Sequence, residues 1–224
     1  MNQENFKIPI EIVFIGPPAS GKGTTAEYFR EKHNIIPISP GNIFRNLLNK
    51  NTTLSELIIE TTKDGGLCPD YLTNQIVNEE IKKNFNNNLK ISLDGYPRTK
   101  EQLEFLLENF QVKLFVQSNA NYEILKQSAL NRRFCKKCNK TISIKLPNSH
   151  CEFGKDNKTQ ICKEFWEKRS DDNLSIFEQR FYNYEKYTLP VFDIIKSFAN
   201  YVKIDLFDLN SYKELEKQLE LKSA

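Results

Sequence analysis

The chain has no apolar run near the ~20 residues that a membrane span requires, so it is not expected to cross a bilayer. Its first residues, Met1 to Asn5, lack the basic-then-apolar build of a secretion signal. Excess charge is scarce too. A net charge of +3 over 224 residues is too small to predict nucleic acid as a partner, and it suits small anionic substrates. Arginine is rare, at seven of the 32 basic residues. Lysine is spread as solvating charge over helix faces, so the placement of each arginine carries more weight. Arg30 reads as helix surface. Arg45, Arg98, Arg132, Arg133, Arg169 and Arg180 sit beside turn, loop or helix-start signals, where a rigid five-donor fork suits phosphate oxygens. Five cysteines, two of them spaced C-x-x-C, point to a reducing, cytoplasmic setting and to metal rather than disulfides. There is no internal repeat.

What is present begins with Gly16-Pro17-Pro18-Ala19-Ser20-Gly21-Lys22-Gly23-Thr24. The β-branched and aromatic run Ile10 to Ile15 precedes it and predicts a buried strand; good helix formers from Thr25 to Lys32 follow. Strand, glycine loop and helix start gather unpaired backbone N–H groups and a positive helix end at one point, which is an anion site. Lys22 adds a mobile cation and Thr24 a hydroxyl for magnesium. The expectation is a nucleoside polyphosphate.

Further strands are predicted at Ile35–Ile38, Ile91–Asp94, Val112–Val116 and Tyr201–Ile204. Helices are predicted at about Asn42–Lys50, Leu54–Lys63, Tyr71–Phe85, Lys100–Asn109, Asn121–Arg132, Asn173–Phe198 with a kink at Pro190, and Tyr212–Leu221. Residues 133 to 170 carry cysteine and lysine without helical period. The alternation predicts one α/β domain: a doubly wound parallel sheet of five strands flanked by helices, with ligands at the carboxyl ends of the strands. Hydrophobic residues at 39 % and aromatics at 12 % suffice for its core.

Four motifs then carry a family resemblance: Gly16 to Thr24, Gly41-Asn42-Ile43-Phe44-Arg45, Asp94-Gly95-Tyr96-Pro97-Arg98-Thr99, and Arg169-Ser170-Asp171-Asp172 before a helix bearing Arg180. In this order they resemble the adenylate kinases, among the nucleoside monophosphate kinases, from Ile10 to about Ile204. The resemblance implies a P-loop core (1–39, 71–132 and 171–224), a monophosphate-binding insertion at 40–70 and a long lid at 133–170. It implies a monomer that moves a phosphoryl group reversibly from MgATP to AMP, giving two ADP. The nucleotides would meet Gly16, Ala19, Ser20, Gly21, Lys22, Gly23, Thr24, Pro40, Gly95 and the arginines. Lys22 would track the β- and γ-phosphates, Arg45 and Arg98 the AMP phosphate, and Arg132, Arg169 and Arg180 the transferred group. Asp94 would orient magnesium through water, and Gln102 would read the AMP base edge with its paired donor and acceptor. Arg133 is expected to be structural. Two other readings stay open: Asp94 as a helix N-cap, and Asp171 and Asp172 as caps of the helix after them.

The lid cysteines resemble the structural zinc site of long-lid members. Cys135, Cys138, Cys151 and Cys162 would be the ligands, with His150 an alternative third ligand and unligated thiols the rival reading. Cys68 reads as ordinary packing. The pattern is broken at Ala19 (for glycine), Pro40 (for threonine), Asn42 (for aspartate), Ser128 (for an arginine on the ATP base) and Leu206 (for glycine). The last two leave GTP open as donor. A broad nucleoside monophosphate kinase and a weakly catalytic nucleotide binder are the remaining rivals.

Overall fold

The computed structural model describes residues 6–48, 52–135, 141–143, 166–169, 171–208 and 210–221. Its centre is a five-stranded, all-parallel sheet. In chain order its strands are β2 (Ile12–Ile15), β3 (Ile35–Ile38), β4 (Lys90–Asp94), β6 (Phe115–Ser118) and β10 (Tyr201–Ile204). They lie side by side as β10-β6-β2-β4-β3. β2 is central, and all four of its residues are buried. Alternate side chains serve opposite faces, as strand geometry dictates. Val13 and Ile15 join a cluster with Val77, Leu103, Leu106 and Phe192, while Ile12 and Phe14 join Ala26, Phe29 and Leu215.

The helices are α1 (Lys22–His33), α2 (Pro40–Leu48), α3 (Thr53–Thr62), α4 (Asp70–Asn86), α5 (Lys100–Asn109), α6 (Tyr122–Leu130), α7 (Leu174–Asn183), α8 (Leu189–Ile195) and α9 (Asn210–Gln218). Of these, α1 and α9 pack on one face of the sheet, and α4, α5 and α8 on the other. Side chains start several of them. Thr99 accepts from the Gln102 N–H at α5, Asn121 from the Glu123 N–H at α6, and Asn173 from the Ile176 N–H at α7. On α9 the buried Glu216 takes the Tyr28 hydroxyl (2.8 Å), His33 Nε2 (2.7 Å) and Lys32 Nζ (2.8 Å), all from α1. These partners hold its carboxyl down at about 2 against the opposing effect of burial.

Two expected strands are broken, and at matching places. Ile10–Ile15 divides into β1 (Ile8–Ile10) and β2; Val112–Val116 divides into β5 (Phe110–Val112) and β6. β1 and β5 form a separate parallel pair. At the break the buried Glu11 faces Lys113, Nζ to carboxylate 2.8 Å. The two residues, one from each strand, pair at the level where both strands are interrupted.

The expected helix to Arg132 ends instead at Leu130. Asn131 closes it by donating its side-chain amide to the Gln127 carbonyl at 2.8 Å. Arg132 therefore stands on β7 (Arg132–Cys135), in a small antiparallel sheet with β8 (Thr141–Ser143) and β9 (Trp166–Glu167). The expected helix Asn173–Phe198 is α7 and α8 joined by a π-helical turn, Tyr184–Thr188. Pro190 lies in the first turn of α8, directly after the π-helical turn. No helix among the described residues is long and apolar enough to cross a membrane.

The carboxyl edge of the sheet is closely packed. A Cβ on Gly16, just past β2, would fall 1.9 Å from Ser118 Oγ at the end of β6. Gly16→Ala is expected to lower stability by about 1–3 kcal/mol through overpacking, and adding Ser118→Gly should recover part of it. Urea unfolding of both variants checks this.

Candidate active site

The carboxyl ends of β2, β3, β4 and β10 lead into one cleft of about 870 Å³. β2 leads into the glycine loop, β3 into Pro40, β4 into Asp94 to Arg98, and β10 into Leu206. Ser118, at the end of β6, holds Ser20 of the loop at 2.5 Å, Oγ to Oγ. Gly16, Ala19, Ser20, Gly21, Lys22, Gly23, Thr24, Pro40, Asp94, Gly95 and Gln102 all line this cleft. Arg45, Arg98, Arg132, Arg169 and Arg180 line it too. Arg133 does not; its guanidinium turns back onto the Arg132 carbonyl at 2.7 Å.

The loop itself prepares an anion site. α1 opens at Gly21, which has φ 88° and no side-chain cap, and no acidic residue stands in its first turn. The helix start thus keeps its N–H groups and positive end for a ligand. Ala19 takes φ 62°, a left-handed conformation that costs an ordinary residue about 1–2 kcal/mol. Lys22 folds back to the Pro17 carbonyl (2.6 Å) and Ser20 Oγ (3.1 Å).

The cations are crowded. Burial first, and then the Arg98 and Arg132 charges, lower the Lys22 ammonium to about 8, with Asp94 opposing. Burial likewise pushes down Arg98, with Arg180 and Arg45 repelling it, and Arg169, with Arg132 and Arg45 repelling it. Arg45 is lowered by burial in the same way. Guanidinium groups nevertheless remain charged at neutral pH. The cleft therefore holds mutual repulsion that a polyanion relieves.

Among the described residues, two of the cleft arginines have carboxylate partners. Asp172, 2 % exposed, takes Arg132 at both oxygens (Nε 3.1 and 2.9 Å), and Asp171 takes Arg180 at 2.6 Å. The cap of α7 is Asn173, so neither aspartate caps that helix. Nor does Asp94 cap α5, a task that falls to Thr99. The Asp94 carboxylate instead lies over Gly23, 3.3 Å from where a Cβ would be. Arg98 Nε donates to the Gly95 carbonyl at 2.8 Å, and Arg169 to Thr141 Oγ1 at 3.1 Å. Asn42 accepts from Arg45, so an amide steadies that cation. Ser128 and Leu206 also face the cleft.

Four supporting residues gave no sequence signal. They are Ser118, Thr141, Thr188, which donates to the Arg98 carbonyl at 2.9 Å, and Asp70, which takes the Gln102 amide at 2.6 Å. Each bonds a site residue far away in the chain. Only Ser118, the last residue of β6, could have been found by its position.

The donors suit magnesium. Asp94 and the exposed Thr24 offer hard oxygens beside the anion site. Of the four cysteines expected to bind zinc, Cys135 is buried on β7; Cys138, Cys151 and Cys162, like His150, lie outside the described residues. Among the described residues no three His, Cys, Asp or Glu cluster as metal ligands. Cys68 is buried beside Ile58, Leu72 and Ile76, and it also touches the cleft.

The family model for adenylate kinase matches residues 14–200. The adenylate kinase of Mycoplasma mobile is 35 % identical over 199 residues, covering 87 % of this chain and 89 % of that protein. Those of Orientia tsutsugamushi (34 % over 210 residues, 93 % and 94 %) and Mycoplasma capricolum (33 % over 211 residues, 90 % and 94 %) are similarly close.

Anion binding should restore the Lys22 proton. Calorimetric titration with ATP at pH 8, in buffers of different ionisation enthalpy, is expected to show uptake of a fraction of a proton that is lost in Lys22→Met. Equal heats in all buffers at pH 8 contradict it.

Proposed function

The chain belongs to the adenylate kinase family, and on that footing we propose that its cleft carries out ATP + AMP ⇌ 2 ADP. As a family member it is a phosphotransferase that binds nucleotides. The observation that carries the reading is the meeting of Lys22 and five arginines in one cleft at an uncapped helix start.

The chemistry explains the residue types. Two polyanions must approach in line, and the migrating phosphoryl spreads its charge over three oxygens, so positioning and fixed cations supply most of the rate. The loop amides and Lys22 take the β- and γ-phosphates of the donor. Arg45 and Arg98 take the AMP phosphate. Arg132, Arg169 and Arg180 face the group in transit, two of them held to their line by Asp172 and Asp171. Magnesium, which the family's reaction uses, would be held at Thr24 and through water at Asp94, and would neutralise phosphate charge. Segments 40–70 and 133–170 act as covers that exclude water, since hydrolysis competes with transfer.

ATP is the donor in this reading. GTP is the second reading, supported by Ser128 and Leu206 at positions where the family commonly has an arginine and a glycine. Rates with ATP, GTP, CTP and UTP, with AMP as acceptor, decide between them. A monomer in a reducing, cytoplasmic compartment, with a four-thiolate zinc at Cys135, Cys138, Cys151 and Cys162, completes the proposal; the C-x-x-C spacing supports the zinc.

Two outcomes are expected. Arg98→Ala should cut turnover about a thousandfold in a coupled assay for ADP while the melting temperature changes little. An unchanged rate refutes its role. Protein purified without chelator should contain about one zinc per chain; metal analysis finding far less removes the ligand set.

A further inference from the structure

Gln102 is 2 % exposed yet touches the cleft, and both ends of its amide are held. Oε1 accepts the Arg98 backbone N–H at 2.8 Å. Nε2 donates to Asp70 Oδ1 at 2.6 Å, while Asp70 Oδ2 accepts from Thr99 Oγ1 at 3.0 Å. A backbone N–H only donates and a carboxylate only accepts, so turning the amide over would set like dipoles against each other at both ends. The Arg98 bond alone leaves the amide plane free to swing about Oε1. Asp70 removes that freedom. It stands at the start of α4, behind Gln102 and off the cleft lining.

The held amide keeps one lone pair on Oε1 and one hydrogen on Nε2 for a ligand. A 6-aminopurine matches this pair, since its amino group donates and its N1 accepts. A 6-oxopurine reverses both, placing oxygen against oxygen and N–H against N–H. We propose that Asp70 is a positioning residue for acceptor-base specificity: by fixing the plane and sense of the Gln102 amide, it selects the 6-amino over the 6-oxo purine monophosphate. The inference rests on AMP being the acceptor, as argued above.

Asp70 also ties α4 to the Thr99 cap of α5, so a purely structural role is the rival. The test compares kcat and KM for AMP and for IMP, together with melting temperature, in the parent, Asp70→Ala and Asp70→Asn. In Asp70→Ala the KM for AMP should rise about tenfold with kcat little changed, and the AMP-to-IMP ratio of kcat/KM should fall at least about tenfold. Asp70→Asn, whose Oδ1 still accepts from Nε2, should keep most of that ratio. Should Asp70→Ala not fold, Asp70→Ser, too short to reach Nε2, is read in the same way. A folded variant with an unmoved ratio, whatever its KM, overturns the role of Asp70 and leaves the AMP reading standing. A parent enzyme that phosphorylates no AMP overturns both.

Discussion

Like charges held close together, only partly answered by carboxylates among the described residues, are the constraint on which the rest of this molecule depends. Lys22 and five arginines face one space, and several sit in surroundings that already disfavour their charge. An uncompensated buried cation costs several kcal/mol in order-of-magnitude terms, so such a group survives only where the scaffold is rigid and a ligand later answers it. The rigid part is the parallel sheet, whose central strand is wholly buried and whose carboxyl ends share one edge. The partial answers are Asp171 and Asp172, which fix two guanidiniums without neutralising the rest. A polyanion completes the balance.

The scaffold and the chemistry meet at few atoms. Gly16 lets β2 and β6 converge, Ser118 holds Ser20, and the uncapped start of α1 projects its N–H groups. On the other side, Thr188 in the π-helical turn holds the carbonyl of Arg98. An irregular turn in an otherwise helical segment is thus tied directly to an arginine of the site, consistent with the frequent occurrence of such turns at functional positions.

Much of this was legible from the chain alone, and the reasons are local. Ile12 to Ile15 reads as a strand because β-branched and aromatic residues end abruptly at glycine, and Arg98 stands out because a strand ends four residues before it. What escaped was decided between distant segments. The two strands divide at one level, where Glu11 meets Lys113 from 102 positions away. Arg132 looked helical until Asn131 closed α6 and β8 supplied a pairing partner. Asp171 and Asp172 stand where caps stand, yet their partners come from β7 and from within α7. Asp70 meets Gln102 across 32 positions, and no periodicity encodes that contact.

The Glu216 junction bears on how the molecule is made. The helix that bears the phosphate loop near the beginning of the chain is braced by a carboxylate 188 positions later. Translation proceeds in one direction, so the ribosome exposes the loop long before it delivers the brace. A chain cut short ahead of α9 therefore leaves Tyr28, Lys32 and His33 without the carboxylate that gathers them, and α1 held by its packing on the sheet alone.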